Sequence, residues 1–159
     1  MKMRTEYKII SINEKPEIKE KAAEWFSDKW GIPAEEYLES IETALEEKKA
    51  VPRWYLAVEG DRIIGGAGVI ENDFHERKDL TPNICAFFVE EGFRRRGIGR
   101  SVIGYALEDM NKRGVDFIYL ITEHTSLYER YGFEFIARVM DNDGIMMRMY
   151  GRETAFHIR

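Results

Sequence analysis

A run of arginines and glycines at residues 94–101 is the strongest chemical signal in this 159-residue sequence. It lies between an apolar segment typical of a strand and a segment with helical spacing, so it should form the turn at a helix N-terminus. Backbone N–H groups at that position have no partner within the helix, and the helix dipole adds positive charge. The run consists of Arg94, Arg95, Arg96, Gly97, Ile98, Gly99, Arg100 and Ser101. It therefore predicts a site for phosphate or diphosphate.

The two glycines of this run strengthen the prediction. Gly97 and Gly99 would let the backbone approach an anion without a side-chain collision, while the arginines supply positive charge in a chain whose net charge is −5. An isolated run of this type is more often a solvated charge cluster at a loop. The motif that follows it along the chain favours the phosphate site.

Tyr128 lies 29 residues after Gly99, within the sequence Ser-Leu-Tyr-Glu-Arg-Tyr-Gly-Phe at residues 126–133. The pattern Arg-x-x-Gly-x-Gly from Arg94 to Gly99 resembles the acetyl-coenzyme A loop of the GNAT acetyltransferases, and the tyrosine segment resembles the family's helix and turn ending in Gly-Phe. The resemblance covers nearly the whole chain. It implies an acetyl-CoA-dependent N-acetyltransferase with acetyl-CoA as the acyl donor.

The resemblance also assigns the coenzyme contacts. The amides of residues 95–100, with Ser101 close by, would hold the pyrophosphate. The backbone of Phe87, Phe88 and Val89 would pair with the pantetheine arm in the manner of an added strand. The amide of Val89 would bind the thioester carbonyl and stabilise the developing oxyanion.

Tyr128 matches the family's tyrosine that protonates the departing thiolate, and a core aromatic is its alternative role. Tyr131, one residue before Gly132, is expected to pack. His124 lies four residues before Tyr128, where some relatives place an asparagine that contacts the coenzyme. A coenzyme contact, a cap on the short helix and acid–base work remain equally open for this histidine.

The general base is not assigned by the sequence. Relatives often use a glutamate on a central strand or an ordered water, but the strand at residues 117–122 carries no carboxylate. Four carboxylates flank the predicted strand ends and are candidates beside water, although each is typical of a solvated loop: Asp73, Asp79, Glu90 and Glu123.

The elements that would position these residues follow from hydrophobic periodicity. Strands are predicted at residues 7–12, 54–58, 63–70, 84–89, 115–122, 133–139 and 145–150, and helices at 16–30, after Pro33, at 98–113 and at 125–131. Glycines 65, 66 and 68 predict a bulge or a close backbone approach. This order of elements matches that of the GNAT family, and the resemblance implies an α/β (α+β) GNAT fold with a mixed, mostly antiparallel twisted sheet of about seven strands, about four helices and splayed central parallel strands that hold acetyl-CoA. Residues 1–159 are expected to form a single domain.

The composition of the chain limits the kinds of partner that it is expected to bind. With a net charge of −5 and a pI near 5.4, the chain offers no broad basic surface for nucleic acid or for an anionic membrane. Apolar stretches are far shorter than a membrane span, and residues 1–6 lack the core of a signal peptide, so a cytoplasmic location is expected. Cys85 is expected to be a buried core residue, and the three histidines, including His75, lack the spacing of a metal site.

The acidic balance favours a small cationic amine as acceptor, such as a polyamine or an aminoglycoside. Acceptor specificity would lie in the first two helices and in residues 72–83, although Trp25, Trp30 and Tyr37 are expected to pack. Two alternatives remain open: an acetyltransferase acting on protein N-termini or lysines, and a noncatalytic acyl-CoA sensor. The resemblance is also compatible with a homodimer.

Overall fold

The computed structural model describes residues 6–155, so residues 1–5, which enter the signal-peptide prediction, lie outside the described part. Seven strands form one sheet in the order β1-β2-β3-β4-β5-β7-β6. The strands are β1 (Lys8–Ser11), β2 (Arg53–Glu59), β3 (Arg62–Ile70), β4 (Asn83–Val89), β5 (Phe117–Thr122), β6 (Glu134–Met140) and β7 (Met146–Glu153). The α-helices are α1 (Lys19–Trp30), α2 (Ala34–Leu45) and α3 (Ile98–Lys112).

Every neighbouring pair in this sheet is antiparallel except β4 and β5, which run parallel at the centre. This arrangement confirms the predicted mixed, mostly antiparallel sheet of seven strands. The parallel pair is possible because α3 lies between the two strands in sequence and returns the chain to the same end of the sheet.

The helices bury two separate apolar clusters against the sheet. Helix α3 contributes its buried face, including Val102 and Met110, to a cluster with residues of β2, β3, β5 and β7. Helices α1 and α2 pack Phe26 and Ile41 into the second cluster, where Trp54 of β2 joins them. Cys85 is only 7% exposed in this second cluster, as the sequence predicted.

A buried ion pair anchors α3 to β2. Arg53 donates its Nε–H to Asp109 Oδ2 at 3.2 Å, and the hydroxyl of Tyr55 donates to the same oxygen at 2.7 Å. The Arg53 side chain is 6% exposed. This network explains why an aspartate occupies a position on the apolar face of α3.

The prediction of about four helices is wrong by one. The segment expected as a helix at residues 125–131 forms only a 3-10 turn, Tyr128–Tyr131. Ser126 has φ +73°, in the left-handed region, so a continuous helix cannot begin at residue 125. Gly132, at φ +83°, ends the turn.

The predicted bulge and close approach along β3 are both present. The pairing register between β2 and β3 shifts between Ala57 and Val58. This shift places one extra residue on β3 beside Gly65. A Cβ at Gly68 would lie 2.4 Å from the Trp54 ring, so the backbone there must carry glycine. The same closeness brings Trp54 under the sheet beside α1 and α2.

A second irregularity opens the middle of the sheet. Between β3 and β4 the pairing jumps from Gly68–Cys85 to Gly66–Phe88, so β4 carries one extra residue, and Ala86 adopts φ +53°. A bulge of this kind bends its strand. Within residues 6–155, the only register pair between β4 and β5 is Asn83–Tyr119, and beyond it the two strands separate.

Candidate active site

The separation of β4 and β5 creates a cleft of about 1160 Å³. This exceeds the roughly 300–1,000 Å³ of most small-molecule pockets, so it can hold two ligands together. Phe87, Phe88 and Val89 line it along β4, while residues 120–124 line it from β5. Because β5 does not pair with this part of β4, an extended molecule can lie along the strand.

The arginine–glycine run forms the turn that leads into α3, as predicted. Gly97 is the N-cap at φ +79°, and Arg95 is also left-handed at φ +66°. Ser101 N–H makes the first helical hydrogen bond, to Gly97 O at 3.0 Å. The amides of the three preceding residues belong to the helix N-terminus, where the dipole favours an anion.

The side chains of the run divide into two groups. Those that line the cleft are Arg94, Arg95, Gly97, Gly99 and Arg100. Ile98 instead packs in the core at 1% exposure, and the guanidinium of Arg96 lies 5.7 Å over the Phe93 ring. The Ser101 hydroxyl donates to Gly97 O and is 3.1 Å from the Tyr7 hydroxyl, so this side chain already has partners within the protein.

The turn at Tyr128–Tyr131 lies against this run. A Cβ at Gly99 would lie 2.9 Å from Phe87 Cζ and 3.1 Å from the Tyr131 hydroxyl. Arg100 donates to Arg130 O at 3.2 Å. Gly99 therefore permits the close contact that joins the two motifs of the sequence.

Tyr128 lines the cleft between the arginine turn and the middle of β4. Its ring lies 6.2 Å from the rings of Phe87 and Tyr131. Burial raises the pKa of the Tyr128 hydroxyl, and the neighbouring Tyr131 and the charge of Asp73 raise it further. The phenol therefore keeps its proton at neutral pH and can donate it. Tyr131 also lines the cleft, while making the packing contacts that the sequence predicted.

His124 lies at the rim of the same cleft and is exposed. Its backbone N–H donates to Thr122 Oγ1 at 3.0 Å. Because the 3-10 turn begins at Tyr128 with Leu127 as its N-cap, the suggestion that His124 caps a helix is wrong. His124 and Tyr128 line the same cleft, but His124 lies in the segment just after β5 and Tyr128 lies in the 3-10 turn.

The four candidate bases differ in their surroundings. Glu90 pairs with Lys29 at 2.6 Å, and Asp79 forms an exposed pair with Arg77 at 2.8 Å. Glu123 is exposed at the rim of the cleft. Asp73, from the loop between β3 and β4, is mostly buried within the cleft, and burial raises its pKa to about 6.

Aromatic side chains line the cleft beside Asp73. Trp30 and Phe74 are about half exposed there, at 47% and 54%, while Tyr37 and Trp54 are buried. Trp25 packs on Phe26 and Phe88, as expected. Tyr37 packs against Phe26 and Trp54 and Trp30 packs against Phe88, as expected, and both also line the cleft.

Glu36, Ser40 and Arg130 line the cleft but were not identified from the sequence. Glu36 and Ser40 of α2 lie one helical turn apart, and Ser40 Oγ accepts a hydrogen bond from Trp54 Nε1 at 2.9 Å. Arg130 joins the arginines from the 3-10 turn. The i, i+4 spacing of Glu36 and Ser40 beside Tyr37 was the one available signal.

Across residues 6–155, no cluster of three or more His, Cys, Asp or Glu side chains is placed to hold a metal ion. None of the helices in that range is both long and apolar enough to cross a bilayer.

Comparison with known protein families identifies the family to which this chain belongs. The acetyltransferase (GNAT) family matches residues 16–133, and this chain belongs to that family. No match was found among curated proteins.

Solved structures share the fold at low sequence identity. The acetyltransferase of the GNAT family from Staphylococcus aureus Mu50 is 22% identical, with a TM-score of 0.67 over 94% of this chain and 100% of that one. YncA from Salmonella typhimurium, whose structure contains its cofactor acetyl-CoA, is 12% identical with a TM-score of 0.70 over 96% of both chains. An aminoglycoside 6'-N-acetyltransferase complexed with coenzyme A is 17% identical with a TM-score of 0.68 over 96% of this chain and 99% of that one.

Proposed function

We propose that this protein is an acetyl-CoA-dependent N-acetyltransferase whose acceptor is a primary amine on a small cationic molecule. The observation that carries the proposal is the opened strand pair β4–β5, which has the arginine–glycine turn at one end and Tyr128 in its wall. Two of the structural relatives contain acetyl-CoA or coenzyme A, which supports the choice of donor. The aminoglycoside acetyltransferase among them supports a small cationic acceptor.

The coenzyme would lie along β4 with its diphosphate at the start of α3. Backbone amides of residues 95–100 would bind the phosphate oxygens, and Arg94, Arg95 and Arg100 would add charge. The pantetheine arm would pair with the free edge of β4 from Phe87 to Val89. Ser101 would act only through the turn, because its hydroxyl is bound to Gly97 O.

Acetyl transfer then needs a neutral amine, an oxyanion site and a proton for the thiolate. The amine nitrogen attacks the thioester carbonyl carbon, the amide of Val89 binds the resulting oxyanion, and the C–S bond breaks. Tyr128 gives its proton to the departing sulfur. An unperturbed phenol and thiol differ in pKa by only about two units, and the burial that raises the pKa of Tyr128 keeps the phenol protonated until the thiolate leaves. We assign His124 a coenzyme contact at the cleft rim, because it is exposed whereas Tyr128 is partly buried.

The test separates binding from turnover. Calorimetry with acetyl-CoA should show binding by wild type and by Tyr128→Phe, and weak or absent binding by Gly97→Trp. Thiol release with a panel of primary amines should fall about 100-fold in Tyr128→Phe. Tyr105→Phe is the matched control. Tyr105 of α3 does not line the cleft, and its hydroxyl donates a hydrogen bond to Glu14. A wild type that does not bind acetyl-CoA would contradict the proposal, and binding without turnover on any amine would favour a sensor.

A further inference from the structure

Asp73 is the least exposed of the three carboxylates that line the cleft, since Glu36 and Glu123 are both exposed. Its loop begins after β3, and its side chain lines the cleft together with Tyr37, Cys85 and Tyr128. Burial raises the pKa of each of these three groups, and the charge of Asp73 adds to each rise. Asp73 therefore shares the cleft lining with residues of α2, β4 and the 3-10 turn.

The carboxylate has no cationic partner of its own. Among residues 6–155, no hydrogen bond or ion pair involves its side-chain oxygens, and burial alone raises its pKa to about 6. The lining contains two further carboxylates, Glu36 of α2 and Glu123 after β5, and its cationic side chains belong to the arginine turn and to Arg130. A buried carboxylate without a partner is costly, so a bound cation would stabilise it.

A hydrogen-bonded network holds the Asp73 loop in place. The Asp73 N–H donates to Asn83 Oδ1 at 3.0 Å, and His75 Nε2, at 2.5 Å, donates to the same oxygen. His75 is fully buried, and its Nδ1 accepts from Arg77 N–H at 3.1 Å, so the ring is the neutral Nε2–H tautomer. Asn142 N–H also donates to Phe74 O at 2.8 Å. The backbone of Asp73 is therefore fixed from both the first residue of β4 and the β6–β7 turn.

We propose that Asp73 binds the ammonium group of the acceptor and removes its proton, and so is the general base of this enzyme. This inference rests on the proposed N-acetyltransferase function and extends it. The other carboxylates are less suited, because Glu90 is paired with Lys29, Asp79 lies outside the cleft, and Glu123 is exposed.

The protons balance in this scheme. The Asp73 carboxylate takes one proton from R–NH₃⁺, and the neutral amine attacks the carbonyl carbon of the thioester. The C–S bond breaks as the sulfur takes the Tyr128 proton, and the phenolate recovers a proton from the acylated nitrogen. Asp73 returns its proton to water, so the products are the amide, the free thiol and one proton.

The pH profile of Asp73→Asn tests this assignment, with the amine that gives the fastest thiol release in wild type as the probe. In wild type, kcat/KM should rise with pH to a plateau, with an apparent pKa near 6. In the variant only neutral amine can react, so kcat/KM should keep rising toward the pKa of the amine. The loss should be about 100-fold at pH 7 and should shrink by pH 9.

Asp79→Asn is the matched control in the same loop, and its profile should follow that of wild type. Calorimetry with acetyl-CoA should give the same affinity for all three proteins, which shows that each is folded. If Asp73→Asn keeps the wild-type profile and stays within threefold of its rate, Asp73 is not the base. If wild type itself releases no thiol with any amine, the proposed function fails first, and the assignment falls with it.

Discussion

The two halves of the cleft are built in different ways. The arginine half consists of the β4–α3 turn at residues 94–100 and the Tyr128–Tyr131 turn, which meet through Gly99. The aromatic half consists of Trp30, Tyr37, Trp54, Asp73 and Phe74, which come from α1, α2, β2 and the β3–β4 loop. The first half offers backbone amides and cations, and the second offers rings and a carboxylate.

This difference matters for the two substrates of the proposed reaction. Binding through backbone amides depends on glycine positions and a helix terminus, so it can be kept while side chains vary. Binding through side chains from four separate elements can change one residue at a time. We therefore expect changes in the arginine half to affect all acceptors equally, and changes in the aromatic half to depend on the acceptor.

The largest effect should come from the ion pair that holds α3, the helix that begins at the arginine half. Asp109→Ala removes the acceptor of the Tyr55 hydroxyl and leaves the Arg53 guanidinium, whose side chain is 6% exposed, with only the exposed carboxylate of Glu47, so it should lower the free energy of unfolding by about 3 kcal/mol. Urea denaturation measures this. The control is Glu108→Ala, which removes an exposed pair with Lys112 and should cost less than about 0.5 kcal/mol. Equal losses in the two variants would contradict the anchoring role.

A second change breaks the arginine half directly. The side chain in Gly99→Val would occupy the space of the Phe87 ring and the Tyr131 hydroxyl, so the two turns must separate. We expect the Kd for acetyl-CoA to rise about 100-fold, which corresponds to about 2.7 kcal/mol, whatever the acceptor. Gly104→Val on the same helix is the control, since a Cβ there meets no atom within 4 Å. Calorimetry that finds equal Kd values would show that the contact of the two turns is unimportant.

The sequence predicted the arginine half because its signals are local. The glycine spacing and the strand-to-helix change lie within a few residues, and the order of strands followed from alternation and periodicity. The fold was therefore predicted almost completely. The one wrong element, the helix at residues 125–131, depends on the left-handed Ser126, a backbone state that residue type alone does not indicate.

The aromatic half could not be predicted in the same way. Asp73 and Glu123 are both loop carboxylates in the sequence, and only the tertiary fold buries one and exposes the other. The burial of Asp73 depends on the bulge at Ala86, on the His75–Asn83 hydrogen bond and on the docking of its loop against the β6–β7 turn. None of these long-range contacts has a signature in sequence spacing.

The third prediction concerns the cost of burying Asp73. Its pKa is raised to about 6 in the folded protein, whereas an unfolded aspartate titrates near 3.9. Below pH 4 the Asp73 carboxyl is protonated in both the folded and the unfolded state, so its ionisation costs no stability. Between about pH 4 and 6 the unfolded state has lost this proton while the folded state keeps it, so the stability of wild type falls relative to Asp73→Asn, and above pH 6 the difference levels off. We expect the variant to be more stable by up to about 2 kcal/mol at pH 8 and equal at pH 4.

Thermal or urea unfolding at several pH values measures this difference. Asp79→Asn should show no such gain, because the hydrogen bond from Arg77 lowers the pKa of Asp79 rather than raising it. A variant Asp73→Asn that is less stable than wild type at pH 8 would mean that the carboxylate has a stabilising partner. A gain in stability together with the loss of activity would show that the carboxylate is kept for its chemistry.

The smallest effect should be specific to the aromatic half. Phe74 is 54% exposed in the cleft beside Asp73, so its ring can contact a cationic acceptor. Phe74→Ala should raise KM for the amine about tenfold, or about 1.4 kcal/mol, with the Kd for acetyl-CoA unchanged. Ile145→Ala, which removes an equally exposed apolar side chain outside the lining, should leave KM unchanged.

Phe74→Gly separates the ring from the backbone. Phe74 has φ +59°, so glycine removes both the ring and a left-handed strain of about 1–2 kcal/mol. The glycine variant should therefore be more stable than Phe74→Ala while having the same raised KM. If instead KM recovers in the glycine variant, the backbone of the Asp73 loop, rather than the ring, determines how the acceptor binds. If KM changes in neither variant, the acceptor does not contact this side of the aromatic half.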